Sequence, residues 1–233
     1  MTMTLNLDVA SPLTQELVFA GDEVRLAGQT DYPVQPRQST KFPLLFILHH
    51  ACGSTRDDYA AYAEIGLESG YAVFRWDKRG TGRSGGGGRG STTQDAVNAY
   101  EIALEQPYVD RKRAVILALG AGTGLLGSSF GLFARVEHPY GTLLVANMLD
   151  ERDILALDTR LCIVAGQEDW NTPQKYAEVA AAAHNKNYRH GAAAYIAPQA
   201  DRMLLTSDET IHDGARKVMR DWLKRILRPS TSI

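Results

Sequence analysis

Between Val115 and Gly127 the chain reads VILALGAGTGLLG, an apolar run that breaks into Gly120, Gly122, Gly124 and Gly127. Two chemistries use a strand that ends in such a turn. Glycines let a backbone approach a phosphate or nucleotide at a helix N-terminus, where N–H groups and the helix dipole favour an anion. A sharp strand-to-helix turn can instead hold a nucleophile above the strand ends, with the helix N–H groups ready for an oxyanion. That second chemistry needs a Ser, Cys or Asp at the tip, a His to take its proton and a carboxylate to orient the His. Centred on Gly120-Ala121-Gly122-Thr123-Gly124, the turn places Gly122 at the tip, with no side chain to attack.

The other residues able to do chemistry are scattered. Cys52 follows His49 and His50, and a thiol beside an imidazole can be activated. Ser129 stands in Gly127-Ser128-Ser129-Phe130-Gly131, about two helical turns past the tip, which reads as a small-residue helix face. Gly122-Thr123-Gly124-Leu125-Leu126-Gly127 also fits a dinucleotide signature. Dinucleotide folds place an acid at the end of the next strand to bind ribose hydroxyls, but TLLVANM ends without one and Asp150 comes only later. Asp169 follows the apolar run LCIVAG, and Arg202 follows YIAPQAD. The cluster Lys78, Arg79, Arg83 and Arg89 reads as a solvated loop face. His138, His184, His190 and His212 show no metal-ligand spacing and read as surface or capping residues. No metal site and no cofactor are expected.

These residues need a scaffold. The chain has 233 residues, 44% of them hydrophobic, enough for one large domain with a substantial core. A formal net charge of -2 gives no global pull toward nucleic acid or an anionic membrane. No run approaches the length of a membrane span and no signal-peptide pattern precedes the first strand, so a cytoplasmic protein is expected. Cys162, in LCIVAG, reads as a buried small hydrophobe. Two short strands about Gly21-Asp22 predict a hairpin. After it, strand-like runs (FPLLFILHH, YAVFRWD, RAVILALG, GTLLVANM, RLCIVAGQED, GAAAYIAP) alternate with amphipathic stretches. Helices are predicted after Ser54, after Ser91, from Gly122 to Val136, near Pro173, and over TSDETIHDGARKVMRDWLKRIL. Such alternation predicts a mostly parallel sheet covered on both faces.

In their order these segments resemble the α/β-hydrolase superfamily over nearly the whole chain. FILHHACGS is similar to its oxyanion strand and loop, and Asp77 to Ser84 matches its Asp-x-Arg-Gly-x-Gly-x-Ser turn. VILALGAGTGLLG falls where its nucleophile turn belongs, LCIVAGQEDWNTP where its acid loop belongs, and YIAPQADRMLL where its His loop belongs. The resemblance implies a central mostly parallel sheet with an antiparallel N-terminal hairpin, in one domain over residues 1–233 without a lid. It assigns the acid to Asp169, the nucleophile position to Gly122 and the His position to Arg202, which stays protonated and cannot act as a base. Oxyanion or ligand-binding positions fall on His50, Ala51, Cys52 and Thr123. Asp77 and Arg79 are expected to hold loops together, and Arg202 to pair with Asp169. The body is similar to a small serine hydrolase of the dienelactone-hydrolase and esterase kind. Three functions stay open: a pseudoenzyme binding a small anionic ligand or a partner, an active ester or acyl hydrolase with an unassigned nucleophile, and an S-adenosylmethionine or dinucleotide-binding protein using Gly120–Gly127.

Overall fold

A computed structural model describes residues 13–49, 54–170 and 174–228. Its eight strands form one sheet in the order β1-β2-β4-β3-β5-β6-β7-β8. β1 (Leu13–Ala20) and β2 (Arg25–Tyr32) make the expected antiparallel hairpin, and β2 runs antiparallel to β4 (Ala72–Trp76). From β4 onward every pairing is parallel, through β3 (Phe42–Leu48), β5 (Val109–Leu119), β6 (Gly141–Val145), β7 (Arg160–Gly166) and β8 (Ala192–Ala197).

The unbroken apolar runs have a direct cause, since each central strand is buried on both faces. On β3, Leu44, Phe46 and Leu48 face one core cluster, while Leu45 and Ile47 face the other. β5 repeats the alternation, with Ala114, Ile116 and Ala118 on the first side and Val115, Leu117 and Leu119 on the second. The first cluster includes residues of α2 (Thr92–Leu104), α3 (Ala121–Val136) and α4 (Gln174–Asn187). The second includes residues of α1 (Ala60–Glu68) and α5 (Asp213–Ile226). Cys162 is fully buried there, and burial pushes its thiol up to about 12, as suits an inert core residue.

Ser91 caps α2 as expected, its Oγ accepting from Thr93 and Gln94 N–H. Three local expectations are corrected. The chain after Ser54 first makes a 3-10 turn over Arg56–Tyr59, with Thr55 as its cap, before α1 begins. The last helix starts at Asp213, because Leu205 pairs with Ile211 in an isolated bridge that takes up the residues before it. There His212 is the cap, Nδ1 accepting from Ala215 N–H at 3.2 Å. His184 is fully buried, 2.9 Å from the Leu157 carbonyl and with its ring tilted against Tyr188, because helical periodicity turns it inward. Among the described residues no helix is long and apolar enough to cross a membrane.

Candidate functional site

Because β3 and β5 to β8 are parallel, their C-terminal ends share one edge of the sheet, where such folds place their sites. At that edge the turn from β5 into α3 is made by Gly120, with φ 50° and ψ −118°. An L side chain adopts this backbone only with strain. The expectation of Gly122 at the tip is therefore corrected by two residues. Gly122 lies in the first turn of α3, packed on the end of β3. A Cβ there would collide with the carbonyl oxygens of His49 and Leu48, the latter 2.6 Å away. Gly122 is glycine because the helix start passes so close to the β3 backbone. Centred on Gly120, the turn instead reads Ala118-Leu119-Gly120-Ala121-Gly122.

The turn is fixed from several sides. Gly120 N–H donates to the Val145 carbonyl at 2.9 Å. Thr123 donates both its N–H (2.8 Å) and its hydroxyl (2.7 Å) to the Gly120 carbonyl. The same hydroxyl accepts from Met148 N–H at 2.9 Å, tying the turn to the loop after β6. Thr123 is fully buried and its donors are spent within the turn, so it positions the site rather than contacting a ligand. The first N–H groups of a helix have no acceptor inside it, so Ala121 N–H is the helix donor next to the tip. His50, Ala51 and Cys52 lie outside the described residues.

Asp169 and Arg202 come from the loops after β7 and β8, which are laced together. Gln167 N–H donates to the Ala197 carbonyl and Glu168 N–H to the Ala200 carbonyl, both at 2.9 Å. Gly166 allows this, since a Cβ there would meet the carbonyl oxygens of Ala200 and Asp201. Asp201 ties its own loop, Oδ1 accepting from Met203 and Leu205 N–H at 2.8 Å each. Gln199 and Leu204 flank this segment with φ of 55° and 61°, so Arg202 is presented by a constrained backbone. Asp169 is 7% exposed, whereas its neighbour Trp170 is 87% exposed.

Solved structures share this architecture. A carboxylesterase cloned from a metagenomic library matches with a TM-score of 0.72 and 12% identity, over 93% of this chain and 90% of that one. An esterase from Pyrococcus furiosus matches with a TM-score of 0.70 and 13% identity, over 93% and 92%. A putative alpha/beta hydrolase from Agrobacterium tumefaciens matches with a TM-score of 0.68 and 21% identity, over 91% and 96%. No family model and no curated protein matches the sequence. The chain has the α/β-hydrolase fold.

Within the α/β-hydrolase fold, the turn at Asp77 is a brace, not a reactive centre. Asp77 Oδ1 accepts from Arg56 N–H at 2.8 Å and Oδ2 from Arg83 N–H at 2.9 Å. Ser84 Oγ donates to the Asp77 carbonyl and accepts from Ala27 N–H. Arg79 binds Asp95 at 2.6 Å, clamping the glycine-rich loop to α2. Ser129 lies in the middle of α3, half-buried, with Ser128 Oγ 3.5 Å from its own.

The expected pairing of Arg202 with Asp169 is not made: among the described residues no ion pair joins them. Instead Arg202 Nη2 lies 3.7 Å from Met148 Sδ, while its buried Nε has no hydrogen-bond partner among the described residues. Met148 therefore links Arg202 to Thr123 and so to Gly120. Sequence reasoning placed Gly120 and Ala121 in the turn but missed Gly120 as its tip and Ala121 as the donor beside it, and it missed Met148 altogether. Gly120 had a signal, since the apolar run of β5 ends at Leu119 and the turn must follow at once.

Proposed function

We propose that this α/β-hydrolase-fold protein binds a small anionic ligand at the C-terminal edge of its sheet and does not carry out serine-type acyl transfer. The observation that carries the reading is Gly120 at the strained turn, where an attacking side chain would have to leave the backbone. Arg202 supports the anion, because its guanidinium sits at this edge with a weak sulfur contact and a buried Nε that has no hydrogen-bond partner among the described residues. Guanidinium and helix N–H groups together suit a carboxylate or phosphate. Exposed Met148 and Trp170 offer apolar contact for the rest of the ligand.

The dinucleotide reading is disfavoured by the end of β6. Asn147 stands near the place of the ribose-binding acid, and its side chain closes on its own backbone, binding Leu149 N–H and carbonyl at 3.0 and 2.8 Å. The start of α3 is also packed against β3 at Gly122.

Altered hydrolytic chemistry is the second reading, favoured by the burial of Asp169 in the acid loop. A fluorophosphonate probe and short-chain nitrophenyl esters separate the two. The wild-type protein should neither label nor turn over, and the double variant Gly120→Ser with Arg202→His should gain weak turnover. Wild-type turnover abolished by Asp169→Ala would overturn the binding reading.

A further inference from the structure

We propose that the opposite edge of the sheet, at the N-terminal ends of β7 and β8, carries a separate site for a small organic phosphate. A cavity of about 410 Å³ opens there, lined by Arg160, His190, Ala192, Trp222, Arg225 and Arg228 among others. A neighbouring hollow of about 400 Å³ shares Trp222, Arg225 and Arg228, and another of about 320 Å³ shares Arg160 and His190. Volumes of this size suit a small ligand. The space exists because β8 begins with Ala192 and Ala193, whose methyl groups do not fill the gap beside Trp222.

The charges around this cavity are unbalanced. Among the described residues no ion pair engages Arg160, Arg225 or Arg228. Neither Asp158 nor Asp221 meets an arginine of the cavity: Asp158 Oδ1 lies 3.2 Å from His190 Nε2, and Asp221 pairs with Lys217 at 2.7 Å. Arg225 and Arg228 alone could be read as bases offsetting the dipole at the end of α5. Arg160 escapes that reading, because it comes from the first position of β7. Its guanidinium is held 4.3 Å over the Tyr140 ring, with Nη1 3.4 Å from the Tyr140 carbonyl. A stacked, pre-oriented guanidinium facing a cavity with two more arginines matches the bidentate geometry of a phosphate. Trp222 and the alanines of β8 supply an apolar wall for the ester group.

Inorganic pyrophosphate is the probe, titrated by calorimetry against the full chain at low and at physiological salt. Saturable one-to-one binding is expected, weakened about tenfold or more in Arg160→Gln and in Arg228→Gln, since a charge-assisted hydrogen bond contributes on that order. These titrations are made in an Arg202→Gln background, which removes the guanidinium of the anion site proposed above, so that the binding read is that of this site alone. Thermal melts show whether each variant is folded. Should Arg160→Gln unfold, the exposed Arg225→Gln and Arg228→Gln carry the test. No saturable binding in that background, or equal binding in all the variants, would overturn the assignment.

Discussion

Thr123 and Gly120 are bound to each other twice, through N–H and hydroxyl donors to one carbonyl at 2.8 and 2.7 Å. With its oxygen also accepting from Met148 N–H, the buried hydroxyl fixes both the turn and the loop that touches Arg202. Thr123→Val keeps the shape and removes the oxygen. It strands a Met148 N–H and should cost about 1–3 kcal/mol of stability. Thr123→Ser retains the hydroxyl and should cost much less. Urea unfolding of the two variants checks the difference, and a larger loss in Thr123→Ser than in Thr123→Val would show that the methyl packing, not the hydroxyl, holds the turn.

Gly120 and Gly122 separate in the same kind of measurement. At Gly120 a serine must adopt φ 50°, ψ −118°, a strain of about 1–3 kcal/mol, which a folded variant can carry. At Gly122 a serine must displace the backbone carbonyls of Leu48 and His49, so β3 or α3 has to move. Gly122→Ser should lose about 3 kcal/mol or more, the upper part of the range for overpacking. If Gly122→Ser were the better tolerated of the two, the placement of the tip at Gly120 would be wrong.

This pair of glycines also shows where sequence stops being informative. Glycine at alternate positions offers two registers for one motif, Ala118-x-Gly120-x-Gly122 and Gly120-x-Gly122-x-Gly124. Composition cannot choose between them, and the choice is made by contact with β3, a strand distant in sequence. The strands themselves were readable, because burial on both faces leaves continuous apolar runs such as Phe42–Leu48. Arg202 was located but not its partner, since the direction of its side chain depends on how the loops after β7 and β8 cross. The start of α5 was misplaced because the Leu205–Ile211 bridge is tertiary and leaves no periodic signal.

His49 makes stability depend on pH. It is 4% exposed, its Nε2 lies 2.5 Å from the Trp76 carbonyl, and its Nδ1 has no hydrogen-bond partner among the described residues. Burial first, and the charge of Lys78 second, hold its pKa down to about 3, against a smaller upward pull from the Trp76 carbonyl. Between about pH 6.5 and 3 the unfolded chain therefore binds a proton that the native protein refuses. Stability must fall as the pH drops through that window, by up to about 1.4 kcal/mol per pH unit from this residue. His49→Gln can still donate to Trp76 but has no proton to gain. Denaturant unfolding at pH 7 and pH 5 should show a shallower pH dependence for the variant, and parallel slopes would remove His49 as the cause.

The hairpin is joined to the parallel sheet by a buried ion pair between Arg75 on β4 and Asp31 on β2. Arg75 Nη2 and Nε approach Asp31 Oδ2 at 2.8 and 3.1 Å, and Asp31 Oδ1 accepts from Thr14 and Gln29 at 2.7 and 2.9 Å. Arg75 Nη1 also donates to the Arg56 carbonyl at 3.1 Å, so the pair steadies the turn whose N–H is held by Asp77. Both side chains are almost entirely shielded from solvent. Removing one partner leaves the other as an uncompensated buried charge, which costs more than the pair itself contributes. Arg75→Met should therefore lose about 3–5 kcal/mol. Adding Asp31→Leu removes the stranded carboxylate and should recover a large part of the loss, although Thr14 and Gln29 then lose an acceptor. A double-mutant cycle by urea unfolding reads the coupling directly. Simple additivity of the two single losses would show that the charges do not act as a pair.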